Sequence, residues 1–303
     1  MSRPLRIGIA PHELARAQAA SVLEEALRAE VEVGAAATPT VVVEVAAATE
    51  PGAGLFLDVE AEAVAPVDAL RRALAAGQVD VLLHHAADVP PGAIGLQQLA
   101  AVLARRPRGE VLLGRGPLAD LAPGARVAVD STRSGVLLLA ERPDLNPVHL
   151  RGGPRTCLEK LAAGAVQALI LPEAVARWIG AEASICDSLP LERFLPAPGQ
   201  GILVIEVRPD DVEARAWAQR LESARTRLEL AVELACAEHL GGAAVRGVHA
   251  QSHPGEIRVL AFICGWDGEG LRRAERVVAA HLGLAEARSL AADVAQELSP
   301  PRP

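Results

Sequence analysis

Two short runs decide the fold class: LRIGIA at Leu5–Ala10 and TVVVEV at Thr40–Val45, with an alanine-rich stretch between them. Both runs are aliphatic and β-branched, which suits buried strands. The intervening stretch predicts a helix from about Glu13 to Arg28. Apolar strand, helix, apolar strand is the pattern of a parallel α/β sheet. It continues outward: Pro66 opens a helix over Val67–Ala76, and Val79–Leu83 reads as a further strand running into His84-His85-Ala86-Ala87-Asp88-Val89-Pro90.

The alternation then restarts. Strands are predicted at Glu110–Leu113, Ala125–Val129, Val148–Leu150 and Ala168–Leu171, and helices at Arg133–Ala140, Thr156–Ala163 and Glu173–Ile179. A Pro/Gly-rich segment, Leu195–Gly201, leads into another strand at Ile202–Val207. Beyond Asp210-Asp211 the character changes. A long helix runs from about Val212 towards His239, interrupted or bent near Ser223. Two strands follow, Val245–Gln251 and Glu256–Cys264, joined by a turn at His253-Pro254-Gly255, and then a helix over Leu284–Leu298. This last part reads as a smaller α+β domain.

Composition bounds the function. The 303 residues suffice for two or three domains, and half of them are apolar. With 38 Asp+Glu against 30 Lys+Arg the formal charge is -8, which disfavours nucleic acid and anionic membrane as partners. No stretch approaches the ~20 uncharged apolar residues of a membrane span. The N-terminus lacks the continuous apolar run of a secretory signal. The four cysteines, Cys157, Cys186, Cys236 and Cys264, form no CxxC pair, so neither a zinc site nor a disulfide framework is expected. A cytoplasmic, monomeric protein is expected. Tyr is absent and Phe is 3, which leaves few rings for stacking on a ligand.

Six segments carry a family likeness in order along the chain. They are Leu5-Arg6-Ile7 with Leu14-Ala15 and Gln18; Gly52-Ala53-Gly54-Leu55-Phe56; Asp88-Val89-Pro90; Ala140-Glu141-Arg142-Pro143-Asp144-Leu145 with Leu150-Arg151-Gly152; Leu195-Pro196-Ala197-Pro198-Gly199-Gln200-Gly201; and Gly241-Gly242 with Gly247-Val248-His249-Ala250. They resemble the opening motif, GKGLF, HSMKDVP, second-domain, LPAVGQG and cofactor-flanking segments of the porphobilinogen deaminase (hydroxymethylbilane synthase) family. LPAPGQG is the most specific of them.

The resemblance implies two periplasmic-binding-protein-like α/β domains with a hinged cleft, plus a small α+β third domain. The expected domains are 1–95 with 196–209, 96–195, and 210–303. It implies a tetrapyrrole-biosynthesis transferase that condenses four porphobilinogens on a dipyrromethane primer held by a cysteine thioether. Such chemistry needs a thiol anchor, a carboxylate to manage the pyrrole proton, and arginines that pair with acetate and propionate groups.

This chain departs from the pattern at the charged positions. Where the family has its anchor cysteine, in GGCxVP, the chain reads Gly241-Gly242-Ala243-Ala244-Val245-Arg246, and the alanine side chain offers no nucleophile. The TRxS motif becomes Ile9-Ala10-Pro11-His12. Ala53 and Ala87 replace the lysines of GKGLF and HSMKD. SSLRR becomes Asp130-Ser131-Thr132-Arg133-Ser134, and the last arginine of LRGNVGTR becomes Cys157. No cofactor is therefore expected, and the family's activity is expected to be impaired or absent. The alternatives are an active synthase with an unusual anchor (Cys236 or Cys264) or a non-covalent primer, and a small-anion or solute-binding protein.

The residues left as candidates are few. Asp88 aligns with the family's essential aspartate, although Asp before Val-Pro is also an ordinary turn residue. Arg133 and Arg151 retain family arginines, and Arg155 stands close enough to compensate for Cys157. Phe56 and His85 are further candidates for contact with a small-molecule ligand in the cleft. Adjacent His84 and His85 point to opposite sides of a strand, so no metal site is expected. The run Arg272, Arg273, Glu275, Arg276 reads as a solvated face.

Overall fold

The computed structural model describes residues 3–45, 67–88, 96–241, 245–279 and 284–298. The chain forms two compact units, Met1–Arg105 with Ile202–Arg227, and Arg106–Gly201 with Leu228–Pro303.

In the first unit, β1 (Leu5–Ile9), β2 (Thr40–Glu44) and β3 (Val81–His85) are parallel, with α1 (Glu13–Glu32) and α2 (Val67–Ala75) in the chain between them. Two further strands, β4 (Leu99–Val102) and β10 (Leu203–Val207), complete the order β2-β1-β3-β10-β4, with β10 antiparallel to both neighbours. Ile7, Ile9, Leu82 and Ile205 are fully buried in this sheet. No strand was expected at β4, and its residues were expected in the second domain, 96–195. Its four residues are all buried and its ladder runs to β10, so the first unit extends to Arg105.

The sheet is pinned at one end by charge. Asp80, just before β3, accepts from Arg3, Arg6 and Arg208 at 2.8–3.1 Å. The Arg6 guanidinium in particular holds its carboxyl well below the usual range. A depressed carboxyl stabilises the fold above its unfolded pKa and loses that contribution as the pH falls. We expect Asp80→Asn to flatten the acid limb of the stability–pH curve, read by urea unfolding between about pH 5 and pH 2.

In the second unit the order is β7-β6-β8-β5-β9, from β5 (Glu110–Gly114), β6 (Arg126–Val129), β7 (Asn146–Val148), β8 (Ala168–Pro172) and β9 (Ile185–Leu189). β6 runs parallel to β7 and β8, while β5 is antiparallel to β8 and β9. Helices α3 (Thr132–Glu141), α4 (Pro154–Ala162) and α5 (Glu173–Trp178) supply the crossovers. Both sheets thus insert one antiparallel strand beside the third parallel one. Both are mixed sheets with helical crossovers, the α/β class expected.

The expected long helix is broken. α6 (Val212–Gln219) belongs to the first unit, and α7 (Ala224–His239) restarts after Ser223, whose hydroxyl accepts from the Thr226 N–H. The hairpin β11 (Val245–His253) and β12 (Glu256–Cys264) is joined by β13 (Arg272–Ala279), and α8 (Leu284–Leu298) packs on this sheet. The Arg272–Arg276 run is therefore a strand as well as a solvated face: Ala274 is buried while Arg272, Arg273, Glu275 and Arg276 are exposed. The elements from α7 onward enclose an apolar core of their own, with Val232, Val248, Ala261 and Val294, and part of β12 also packs with the second sheet. Leu260 and Phe262 of β12 lie in one apolar cluster with Leu112, Val127 and Leu137.

The Leu195–Gly201 segment ends at a glycine that its position demands. Gly201 has φ +76°, and a Cβ there would meet the Arg106 carbonyl oxygen at 2.9 Å.

Candidate functional site

Arg133, a candidate from the sequence, sits where a strand becomes a helix. β6 runs into Asp130, and the extended Ser131 caps α3 by accepting from the Ser134 N–H at 3.2 Å. This turn aims Arg133 inward from the first turn of the helix. Its Nη1 donates to the Leu195 carbonyl at 2.7 Å. Its Nη2 forms an ion pair with Glu110 and a 3.2 Å bond to Gln200 Oε1. Only 7% of Arg133 is exposed, and Glu110 is buried with it. Its planar fork is filled by groups of the protein itself.

Two more buried groups complete this cluster. Ser134 Oγ lies 2.8 Å from Asp130 Oδ1 and 3.2 Å from Glu110 Oε2. Burial, reinforced by the charge of Glu110, pushes the Asp130 carboxyl up to about 6, against the opposing pull of Arg133 and the two hydroxyls. Gln200 also ties the Leu195–Gly201 segment to β5, donating to the Arg108 carbonyl at 3.0 Å. From α7, buried Glu233 accepts from the Gly199 N–H at 2.8 Å.

The other candidates are distributed differently. Arg151 and Arg155 are exposed at the start of α4, and the Arg151 carbonyl accepts from Lys160 Nζ. Cys157 is buried one turn on, and burial raises its thiol pKa. In the first unit, Asp88 is exposed at the end of the short turn Ala86–Asp88 that follows β3. His85 is half-buried; burial lowers its pKa, and the charge of Asp88 opposes that shift. Behind it, buried His84 meets Glu206 at 2.8 Å, and Glu206 also pairs with Arg71 at 3.1 Å. Phe56 and Ala243 lie outside the described residues. Among the described residues no group of three His, Cys, Asp or Glu side chains is placed to hold a metal ion. No described helix is long and apolar enough to cross a membrane.

Glu110, Gln200 and Glu206 were not singled out from sequence. Glu110 carried a signal: a lone carboxylate opening the apolar run Val111-Leu112-Leu113 must find a cation once buried.

Residues 5–216 match the family model described as "Porphobilinogen deaminase, dipyromethane cofactor binding domain". The chain belongs to the porphobilinogen deaminase family. That family acts in tetrapyrrole biosynthesis. The porphobilinogen deaminase of Syntrophobacter fumaroxidans (strain DSM 10017 / MPOB) is 33% identical over 98% of this chain and 94% of its own length. That of Syntrophus aciditrophicus (strain SB) is 36% identical over 57% of each chain. Among solved structures, the periplasmic aliphatic sulphonate binding protein SsuA from Escherichia coli aligns with a TM-score of 0.38 at 19% identity, covering 78% of this chain and 75% of its own.

The match corrects the expectation that the chain takes no cofactor. The region matched is the family's dipyrromethane-binding domain, and the porphobilinogen deaminase family uses that group. The thiols present do not fit a thioether anchor for it. Cys236 is fully buried on α7, and burial together with Glu233 pushes its pKa up to about 12. Cys157 and Cys264 are buried with raised pKa values, chiefly through desolvation. Cys186 Sγ is directed at the carbonyls of Leu112 and Gly116, at 3.2 and 3.0 Å. An anchoring sulfur must reach the reagent as thiolate.

Proposed function

We propose that this porphobilinogen deaminase homologue does not carry out the family's primed condensation of porphobilinogen at an appreciable rate. The observation that carries this reading is the commitment of Arg133. Its guanidinium is the one retained from SSLRR, and Glu110, Gln200 and the Leu195 carbonyl already occupy it. Elsewhere in the chain, positions that the family fills with basic groups are apolar or uncharged. Ala10, Ser134 and Cys157 are buried, and Ala87 is half-buried.

A hydrogen bond to a charged group is worth ~1.5–3 kcal/mol. The loss of about four such contacts weakens binding of a polycarboxylate by on the order of 10³-fold or more, where the terms add. Arg151 and Arg155 are exposed at the head of α4, and their guanidinium groups suit an anion of lower charge than a growing polypyrrole.

Porphobilinogen carries two carboxylates, so its equilibrium binding tests the reading. In calorimetric titrations of the full chain and of the Syntrophobacter fumaroxidans relative, we expect this chain to bind at least about a hundredfold more weakly. Equal dissociation constants would show that the missing basic groups had been replaced.

A further inference from the structure

The cluster around Arg133 holds more acceptors than its visible donors can satisfy. Ser134 Oγ faces three oxygens: Asp130 Oδ1 at 2.8 Å, Ser131 Oγ at 2.9 Å and Glu110 Oε2 at 3.2 Å. Ser131 Oγ also lies 3.1 Å from Asp130 Oδ1. A serine hydroxyl has one proton. With both carboxylates ionised, Ser134 can donate to only one of them. The other would then sit against a lone pair, in a buried site where such a contact is costly.

One added proton resolves the conflict. Glu110 already accepts from the Arg133 guanidinium, so the added proton belongs on Asp130. Asp130 then donates to Ser134 Oγ, and Ser134 donates to Glu110 Oε2. The count of charges agrees: one guanidinium faces two buried carboxylates, and the proton brings the cluster to neutrality.

We infer that Asp130 and Glu110 hold a single proton, relayed through Ser134, and that this proton latches the Leu195–Gly201 segment. The latch is Arg133. While Asp130 is neutral, the one anion among the described residues that pairs with the guanidinium is Glu110. The fork then lies where Nη1 reaches the Leu195 carbonyl and Nη2 reaches Gln200. When Asp130 ionises, a second carboxylate on the preceding turn draws the same guanidinium, and both tethers loosen. Gly201 is the last residue of the second unit in this part of the chain.

The groups facing the proton are Glu110 from β5, Ser131, Arg133 and Ser134 from the head of α3, and the Cys157 thiol from α4, with Lys160 beside that thiol. The elevated carboxyl of Asp130 gives the direction. Its folded pKa lies above the unfolded value of 3.8, so the native state binds the extra proton between about pH 4 and pH 6. The cluster is most favourable below that window and weakens as the pH rises through it. None of this depends on what the protein binds.

Hydrogen exchange of peptides covering residues 195–201 tests the latch, after correction for intrinsic exchange. In the wild type, opening of this segment should increase about tenfold from pH 5 to pH 8, corresponding to one unit of proton affinity. In Asp130→Asn, whose amide stays neutral and can donate to Ser134, opening should be independent of pH. The same slope in both proteins would overturn the latch, as would no slope in the wild type. A carboxyl-carbon NMR titration of the wild type locates the proton without any variant. An Asp130 signal that titrates between about pH 5 and pH 7 supports the shared proton, and one complete below about pH 4 rejects it.

Discussion

Replacing Arg133 by Met should cost about 3–5 kcal/mol of unfolding free energy, read by urea denaturation at neutral pH. The side chain lies almost wholly inside the second unit, and three acceptors depend on it. Its loss leaves the fully buried Glu110 without its guanidinium partner. It also strips the Leu195 carbonyl of its donor in a segment with little other regular structure. An uncompensated buried charge accounts for most of the expected loss. A second substitution in the same background, Glu110→Leu, should restore much of it, because an apolar pair of similar volume has no charge to leave stranded. A cost below about 1 kcal/mol for Arg133→Met would mean that the guanidinium is not committed internally. The proposed function would then lose its main support.

Much of the architecture was legible in the residues. Short aliphatic strands such as Leu5–Ile9 and Val81–His85 alternate with alanine-rich helices, and that period survives folding. Three strands were missed, each for a physical reason. Leu99–Val102 is half alanine, which carries helical propensity, and only its ladder to β10 makes it extended. Ile185–Leu189 contains Asp187 and Ser188, polar residues tolerated at a sheet edge. Arg272–Ala279 is another edge strand, and its charges face water while Ala274 packs inward. The break between α6 and α7 was placed correctly near Ser223. Its cause is a local cap, the Ser223 hydroxyl bonded to the Thr226 N–H.

The site was only half legible. Motif order pointed to Arg133, and the structure places it at the head of a helix as that motif implied. The sequence left its direction open. Whether an arginine reaches for a ligand or for its own protein depends on partners far along the chain, here Glu110 and Leu195, which no local pattern connects. Asp130 reads alone as a helix-start residue. Its proton follows only once Glu110 and Ser134 are seen to share its hydrogen bonds.

The largest effect expected of this chain is on turnover. Condensation of porphobilinogen releases ammonia and lengthens a chain of carboxylate-bearing rings, so each step adds negative charge to be held. On the proposed reading, Ala10, Ala53, Ala87, Ser134 and Cys157 stand at the family's charge-binding positions, and Arg133 is internally paired. Lost transition-state contacts of ~1.5–3 kcal/mol each multiply into a rate deficit of on the order of 10³-fold or more. The decisive measurement is ammonia release from porphobilinogen by the purified full chain, run beside the Syntrophobacter fumaroxidans relative under identical conditions. The predicted result is a rate at least about a thousandfold below the relative's. Release within about tenfold of it, sustained over many turnovers, would contradict the account.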